Sequence, residues 1–186
     1  MTYKMLLCVL VSAALAGSVA QAGDKKKEKP MAPKPAMVTI DAKSGSTLAG
    51  KATLTQSGKE VTLKLEVEKA PPGKHAVHLH DKGDCSSPDG KSAGDHWNPM
   101  TDQHGEWSAE HHHLGDIGNM EVGADGKGSI TLTTDKWTIG TGGKNDVAGH
   151  AIIVHGGVDD YKTQPTGNAG PRIGCGVVTA AAPPAK

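Results

Sequence analysis

The sequence predicts an all-β domain, a sandwich or a barrel, on three observations. Short runs alternate apolar with polar residues, as strands with one buried face must. The 186 residues include 25 glycines and 11 prolines, which punctuate those runs with turns. Beyond the N-terminal region no long stretch keeps a helical period. The length suits one domain with a sizeable core. Phe is absent and aromatic residues make up 3% of the chain, so that core must be built from Val, Ile, Leu and Ala, whose β-branched members favour strands.

In chain order, Lys4 precedes an apolar run from Met5 to Ala16, and Ala20-Gln21-Ala22 has the small-residue pattern of a signal-peptidase site. Residues 1–22 therefore read as a signal peptide, and the exported chain is expected to begin at Gly23. The apolar run is short for a membrane span, so no stable membrane anchor is expected, and Cys8 leaves with the peptide. Residues 23–35 carry Lys25, Lys26, Lys27, Lys29 and Lys34 among three prolines and read as a disordered Lys/Pro-rich linker. This linker has a net charge of about +3, which leaves the remainder mildly acidic. A formal net charge of zero for the whole chain argues against a general nucleic-acid binder.

The folded domain is expected over residues 36–179, followed by a flexible tail at 180–186. Strands are predicted at Met37–Ala42, Thr47–Thr55, Val61–Val67, His75–His80, Gly128–Thr134 and His150–Val154, with a hairpin turn at Ala124-Asp125-Gly126-Lys127. Asp81 to Met120 is a long Gly- and His-rich segment with almost no strand pattern. Loops of that length inside a compact domain are usually functional. Once Cys8 is removed, Cys85 and Cys175 form an even pair in an oxidising compartment and are expected to form a disulfide. The loop it closes is about 90 residues long, for which chain entropy gives roughly 4 to 5 kcal/mol.

Ten histidines against three cysteines mean that any metal is bound mainly through nitrogen. On a strand, His78 and His80 point the same way while Val77 and Leu79 enter the core. His155, at the end of an apolar strand, is placed to join them. His104, His113 and Asp116 form a second group. Three histidines with a carboxylate suit tetrahedral zinc, and an all-imidazole tetragonal set suits copper(II), although imidazole by itself does not choose the metal. His96 sits between the groups in sequence and could bridge two metals through its two ring nitrogens. His75 and His150 are expected to be structural hydrogen-bonding residues, and His111 and His112 a solvated part of the loop. Met100 and Met120 are weak pointers to a copper-transfer surface.

Four segments carry a resemblance: His75-Ala-Val-His78-Leu-His80, Ser92-Ala-Gly-Asp-His96-Trp-Asn-Pro99, His113-Leu-Gly-Asp116-Ile-Gly-Asn119 and Thr166-Gly-Asn-Ala-Gly-Pro-Arg172-Ile-Gly-Cys175-Gly. Together they resemble the signature segments of copper/zinc superoxide dismutase, over about Met37 to Val178. The resemblance implies a Greek-key β-barrel with copper on His78, His80, His96 and His155, and zinc on His96, His104, His113 and Asp116. It implies one copper, which is redox-active, and one zinc, which is structural, per subunit. Asp159 would link the two metal sites through ligand histidines. Arg172 would line the copper channel and, with His96, serve catalysis. Cys85 directly after Gly83-Asp84 is similar to the bacterial exported type, which implies a periplasmic enzyme converting superoxide to dioxygen and hydrogen peroxide in antioxidant defence of the cell envelope. The segment from Asp160 to Gly167 is shorter than the charged steering loop of the eukaryotic enzymes. A copper-binding or copper-delivery protein on the same fold is the rival reading. Such a protein would be expected to lose zinc ligands or the channel arginine, whereas all seven ligand residues and Arg172 are present. Monomer and homodimer both stay open.

Overall fold

The computed structural model describes residues 35–180. The expected signal peptide, nearly all of the linker and most of the C-terminal tail lie outside the described residues. Eight strands follow in order: β1 (Ala36–Ala42), β2 (Ala49–Ser57), β3 (Glu60–Glu68), β4 (Gly73–His80), β5 (Asp116–Val122), β6 (Gly128–Thr134), β7 (Ala151–His155) and β8 (Arg172–Val177). Among the described residues the only helix is one 3₁₀ turn at Lys91–Ala93.

The strands hydrogen-bond in the order β1-β2-β3-β6-β5-β4-β7-β8 and close into an antiparallel barrel. The steps from β3 to β6 and from β4 to β7 skip neighbours in sequence and make it a Greek key, as expected. β3 shows why the pattern was readable. Val61, Leu63, Leu65 and Val67 are buried in the core while Glu60, Lys64 and Glu68 face solvent. Truncating a fully buried member such as Leu63 to Ala would cost about 2 to 5 kcal/mol. Closure is tight at β8. A side chain at Gly176 would collide with the carbonyl oxygen of Thr39 on β1, so only glycine lets those strands approach.

Two strands differ from expectation. β5 begins inside the segment read as loop and runs two residues past it, and β8 precedes the C-terminal tail. Asp116, Ile117 and Gly118 at the start of β5 are all buried, which erases the alternation that marks a half-buried strand. β8 reads Arg172-Ile-Gly-Cys-Gly-Val177, and its glycines serve close packing, not strand propensity. Other strand ends shift by one or two residues, and His155 becomes the last residue of β7.

Cys85 and Cys175 are joined in a disulfide with Cα atoms 5.8 Å apart. It packs with Ala93, Ala151 and Ile153 in a small second core.

Candidate metal centre

Three stretches distant in sequence meet through a closed ring of backbone bonds. The amide of Leu79 on β4 donates to the carbonyl of Gly115 (2.8 Å). That of Gly115 donates to Trp97 (3.0 Å), and that of Trp97 donates back to Leu79 (2.8 Å). Each member of the ring flanks candidate ligands: His78 and His80 beside Leu79, His96 beside Trp97, His113 and Asp116 beside Gly115. A side chain at Gly115 would collide with the Leu79 carbonyl, so the ring requires glycine there. Residues β7 and β4 pair directly and add His155.

Two ligand groups result. The ligating atoms of His78, His80, His96 and His155 lie within 4.8 Å of one another, as do those of His96, His104, His113 and Asp116. His96 belongs to both, and every member is buried. On the first side, one nitrogen of each ring other than His96 is already engaged. His78 Nε2 donates to Asp159 Oδ2 (2.8 Å), His80 Nδ1 to the Gly94 carbonyl (2.9 Å) and His155 Nδ1 to the Gly170 carbonyl (3.3 Å). The other nitrogens face inward. His80 Nε2 and His155 Nε2 stand 3.4 Å apart, and His78 Nδ1 and His96 Nε2 are buried without a hydrogen-bond partner.

On the second side the Asp116 carboxylate is the centre. It lies 3.0 Å from His96 Nδ1, 3.0 Å from His104 Nδ1 and 3.3 Å from His113 Nδ1. The nitrogens of His104 and His113 that face it lack hydrogen-bond geometry and are also without partners. Their outer nitrogens are held, His104 Nε2 by Asp159 Oδ1 (2.8 Å) and His113 Nε2 by the Asp102 carbonyl (3.1 Å). Asp159 thus grips one histidine of each group. Its own backbone amide donates to Asn119 Oδ1 (2.8 Å), and Asn119 Nδ2 donates to the Asp159 carbonyl and to Tyr161 Oη.

The electrostatics differ between the two sides. Burial, with the neighbouring histidines, holds His80 and His155 well below the ordinary imidazole range, and the Arg172 charge adds to this. Burial brings His96 down to about 4. These rings are neutral, the form that ligates metal. For His104 burial opposes the charged form too, but Asp116 and Asp159 prevail and raise it to about 9. Burial pushes Asp116 and Asp159 up, yet their histidine partners win and hold both well below the usual carboxylate range. Four buried, unpartnered ring nitrogens are costly unless something fills the space between them. The donor sets fit two metals: four imidazoles suit copper, and three imidazoles with a carboxylate suit tetrahedral zinc.

A cleft of about 480 Å³ opens beside the first group, lined by Asp89, Lys91, Gly94, Asp95, Pro171 and Arg172. Gly94 supplies the carbonyl that holds His80, so the cleft abuts the candidate copper side. Arg172 is half-buried there and donates from Nη1 to the Gly90 carbonyl (2.9 Å). A larger open groove of about 860 Å³ lies between Lys51, Glu66 and Lys127 on the outside of the barrel, away from the histidines.

The other singled-out residues lie outside both ligand groups. His75 is buried between the carbonyls of Pro71 and His155, 2.8 Å from each. His150 stacks on Trp97 and faces the Asp81 carbonyl. His111 is exposed beside Asp102. His112 is not solvated as expected, because it is buried against Trp107 and accepts from Lys136 Nζ (2.8 Å). Met120 is in the core and Met100 is exposed, so the two form no common surface. Sequence reasoning did not single out Asn119, Gln164 or the carbonyls of Gly94 and Gly170. Asn119, Gly94 and Gly170 lay within signature segments without being marked there, and Gln164 lay outside all four.

A closed Greek-key barrel holding two buried ligand groups with a shared histidine defines a class of metalloprotein with adjacent metal sites. The family model for copper/zinc superoxide dismutase (SODC) matches residues 48–178, and the chain belongs to that family. It is 42% identical over 133 residues to superoxide dismutase [Cu-Zn] 1 of Aquifex aeolicus (strain VF5), covering 69% of this chain and 79% of that one. It is likewise 42% identical over 135 residues to superoxide dismutase [Cu-Zn] of Caulobacter vibrioides, covering 70% and 78%. A crystal structure of a SOD-like protein from Bacillus subtilis superposes with a TM-score of 0.68 at 33% identity, covering 76% of this chain and 97% of that one.

Proposed function

We propose that the protein disproportionates superoxide, two anions and two protons yielding dioxygen and hydrogen peroxide. In this reading copper is held by His78, His80, His96 and His155, and zinc by His96, His104, His113 and Asp116. Copper, when bound, supplies the one-electron oxidation and reduction the reaction requires, and zinc, being d¹⁰, supplies none. The observation that carries the proposal is the sharing of buried His96 between the two groups, beside a cleft lined by Arg172. Arg172 attracts the small anion and orients it, because its guanidinium is always protonated and presents planar donors. His96 Nε2 would be the nitrogen offered to copper, and only when not ligating would it take up a proton and hand it to substrate; the ring is steadied at Nδ1 by Asp116, and Nε2 has no hydrogen-bond partner. Asp159 orients His78 and His104 together. All the ligand residues are buried, and the cleft lined by Arg172 abuts the first group.

Stopped-flow decay of superoxide with the copper- and zinc-loaded protein and with the metal-free protein tests this reading. Rapid decay is expected only when loaded, and equal decay would leave a metal-binding protein without turnover. No helix among the described residues is long and apolar enough to cross a membrane. The Ala20-Gln-Ala22 pattern and the disulfide support export to the periplasm. Intact mass of protein recovered from that compartment should correspond to a chain beginning at Gly23, and a mass retaining residues 1–22 would refute the cleavage.

A further inference from the structure

We propose that Gln164 is a positioning residue for zinc, clamping the backbone of His104 and so setting how tightly the second ligand group holds its metal. The inference rests on the assignment of zinc to that group. His104 lies on a segment without regular structure, and among the described residues its amide and carbonyl make no backbone–backbone hydrogen bond. Gln164 satisfies both. The His104 amide donates to Gln164 Oε1 and Gln164 Nε2 donates to the His104 carbonyl, each at 2.8 Å and across 60 residues of sequence. The carboxamide thus pairs with His104 as a neighbouring strand would.

The same loop grips the ring. Asp159 Oδ1 accepts from His104 Nε2, so residues 159–164 hold both the backbone and the side chain of this ligand. The loop is built to do so. Asp160 accepts from the amides of Lys162 and Thr163 and from Thr163 Oγ1, the Gly167 amide donates to the Thr163 carbonyl (2.7 Å), and the Asp160 amide donates to the Gly167 carbonyl (2.9 Å). Gly167 (φ +64) sits directly over the Asp159–His104 contact, where a side chain would collide with both partners. Without the clamp, His104 would lose both hydrogen bonds of its own amide and carbonyl, leaving its ring on Asp159 and the following Gly105 amide on Asp116, and zinc binding would have to order the His104 backbone as well. Outer partners of ligand histidines typically contribute 10- to 100-fold in metal affinity. Gln164 is itself exposed, so its removal leaves no cavity in the core.

The test uses the full-length protein and the variants Gln164→Ala, Gln164→Met and Gln164→Glu, loaded with copper and titrated with zinc against a chromogenic chelator. All three variants should bind zinc about 10- to 100-fold more weakly, with copper content and the unfolding midpoint of the metal-free form unchanged. Gln164→Glu should fail to rescue although it keeps an acceptor for the His104 amide, because its second oxygen faces the His104 carbonyl. Zinc affinity within twofold of wild type would overturn the proposal, as would a parallel loss of metal-free stability, which would make the role merely structural. His104→Ala is the control for the underlying reading. If wild type binds zinc no better than His104→Ala, the zinc assignment fails, and the proposal with it.

Discussion

In the proposed reading, Arg172 carries the charge that would separate a site for an anionic substrate from a site that only holds metal. In the cleft it faces Asp89 and Asp95, and Lys91 is engaged with Asp89 at 3.0 Å. Burial lowers the Arg172 pKa while those two carboxylates support its charge, and the guanidinium is tethered by the Gly90 carbonyl. Positive charge concentrated in a cleft raises on-rates by roughly 10- to 10³-fold and fades with ionic strength. Arg172→Ile should therefore lower the second-order rate by about tenfold or more, the low end of that range, with copper, zinc and the disulfide retained. Arg172→Lys should keep part of the rate, having charge but a different donor geometry at Gly90. Rates measured against salt concentration for the three metal-matched proteins decide it, and equal rates for wild type and Arg172→Ile would remove this arginine from catalysis.

The connections, more than the strands, are where single side chains organise whole segments. Asp146 is buried in the connection between β6 and β7, where it accepts from the amides of Gly140, Gly142 and Ala148. Burial alone would raise its pKa, but those amides hold it below the usual carboxylate value. A depressed folded pKa stabilises the protein above the unfolded value near 3.9, and that contribution is lost as pH falls through the folded one. Asp146→Asn should accordingly cost about 1 to 3 kcal/mol at neutral pH and progressively less below about pH 4. Urea unfolding of the metal-free protein against pH, wild type minus variant, checks this; a difference that does not shrink in acid would refute it. The connections also explain what the sequence could and could not disclose. His78 and His80 were legible because strand periodicity sends them to one face, and β3 because its alternation is unbroken. β5 was not, since its first residues are buried on both faces, and its backbone reaches φ +122 at Gly118. Asp159 came into view through resemblance alone. Gln164 did not come into view, because the loop that folds it onto His104 is set by local turns with no periodic signature.

At the scale of the molecule, the disulfide and the metals stabilise the barrel by different routes, and the difference is measurable. The Cys85–Cys175 bond spans 90 residues of sequence and restricts the unfolded chain. For a loop of that size the chain-entropy estimate is roughly 4 to 5 kcal/mol, whatever occupies the histidines. Metals act on the native state by mass action, about 2.7 kcal/mol for each site held at a hundredfold excess over its Kd. Neither cysteine is a candidate ligand, so the two contributions should be close to additive. One physical link could break that independence. Lys43 Nζ donates to the Cys85 carbonyl at 2.5 Å, and the Gly90 carbonyl, five residues further on, receives Arg172 beside the candidate copper side. The Cys85→Ala/Cys175→Ala protein should lose roughly 4 to 5 kcal/mol in both the metal-free and the loaded form, by denaturant unfolding of each. A loss confined to the loaded form would mean that the bond acts through residues 85–90 on the metal centre, and would refute the unfolded-state account.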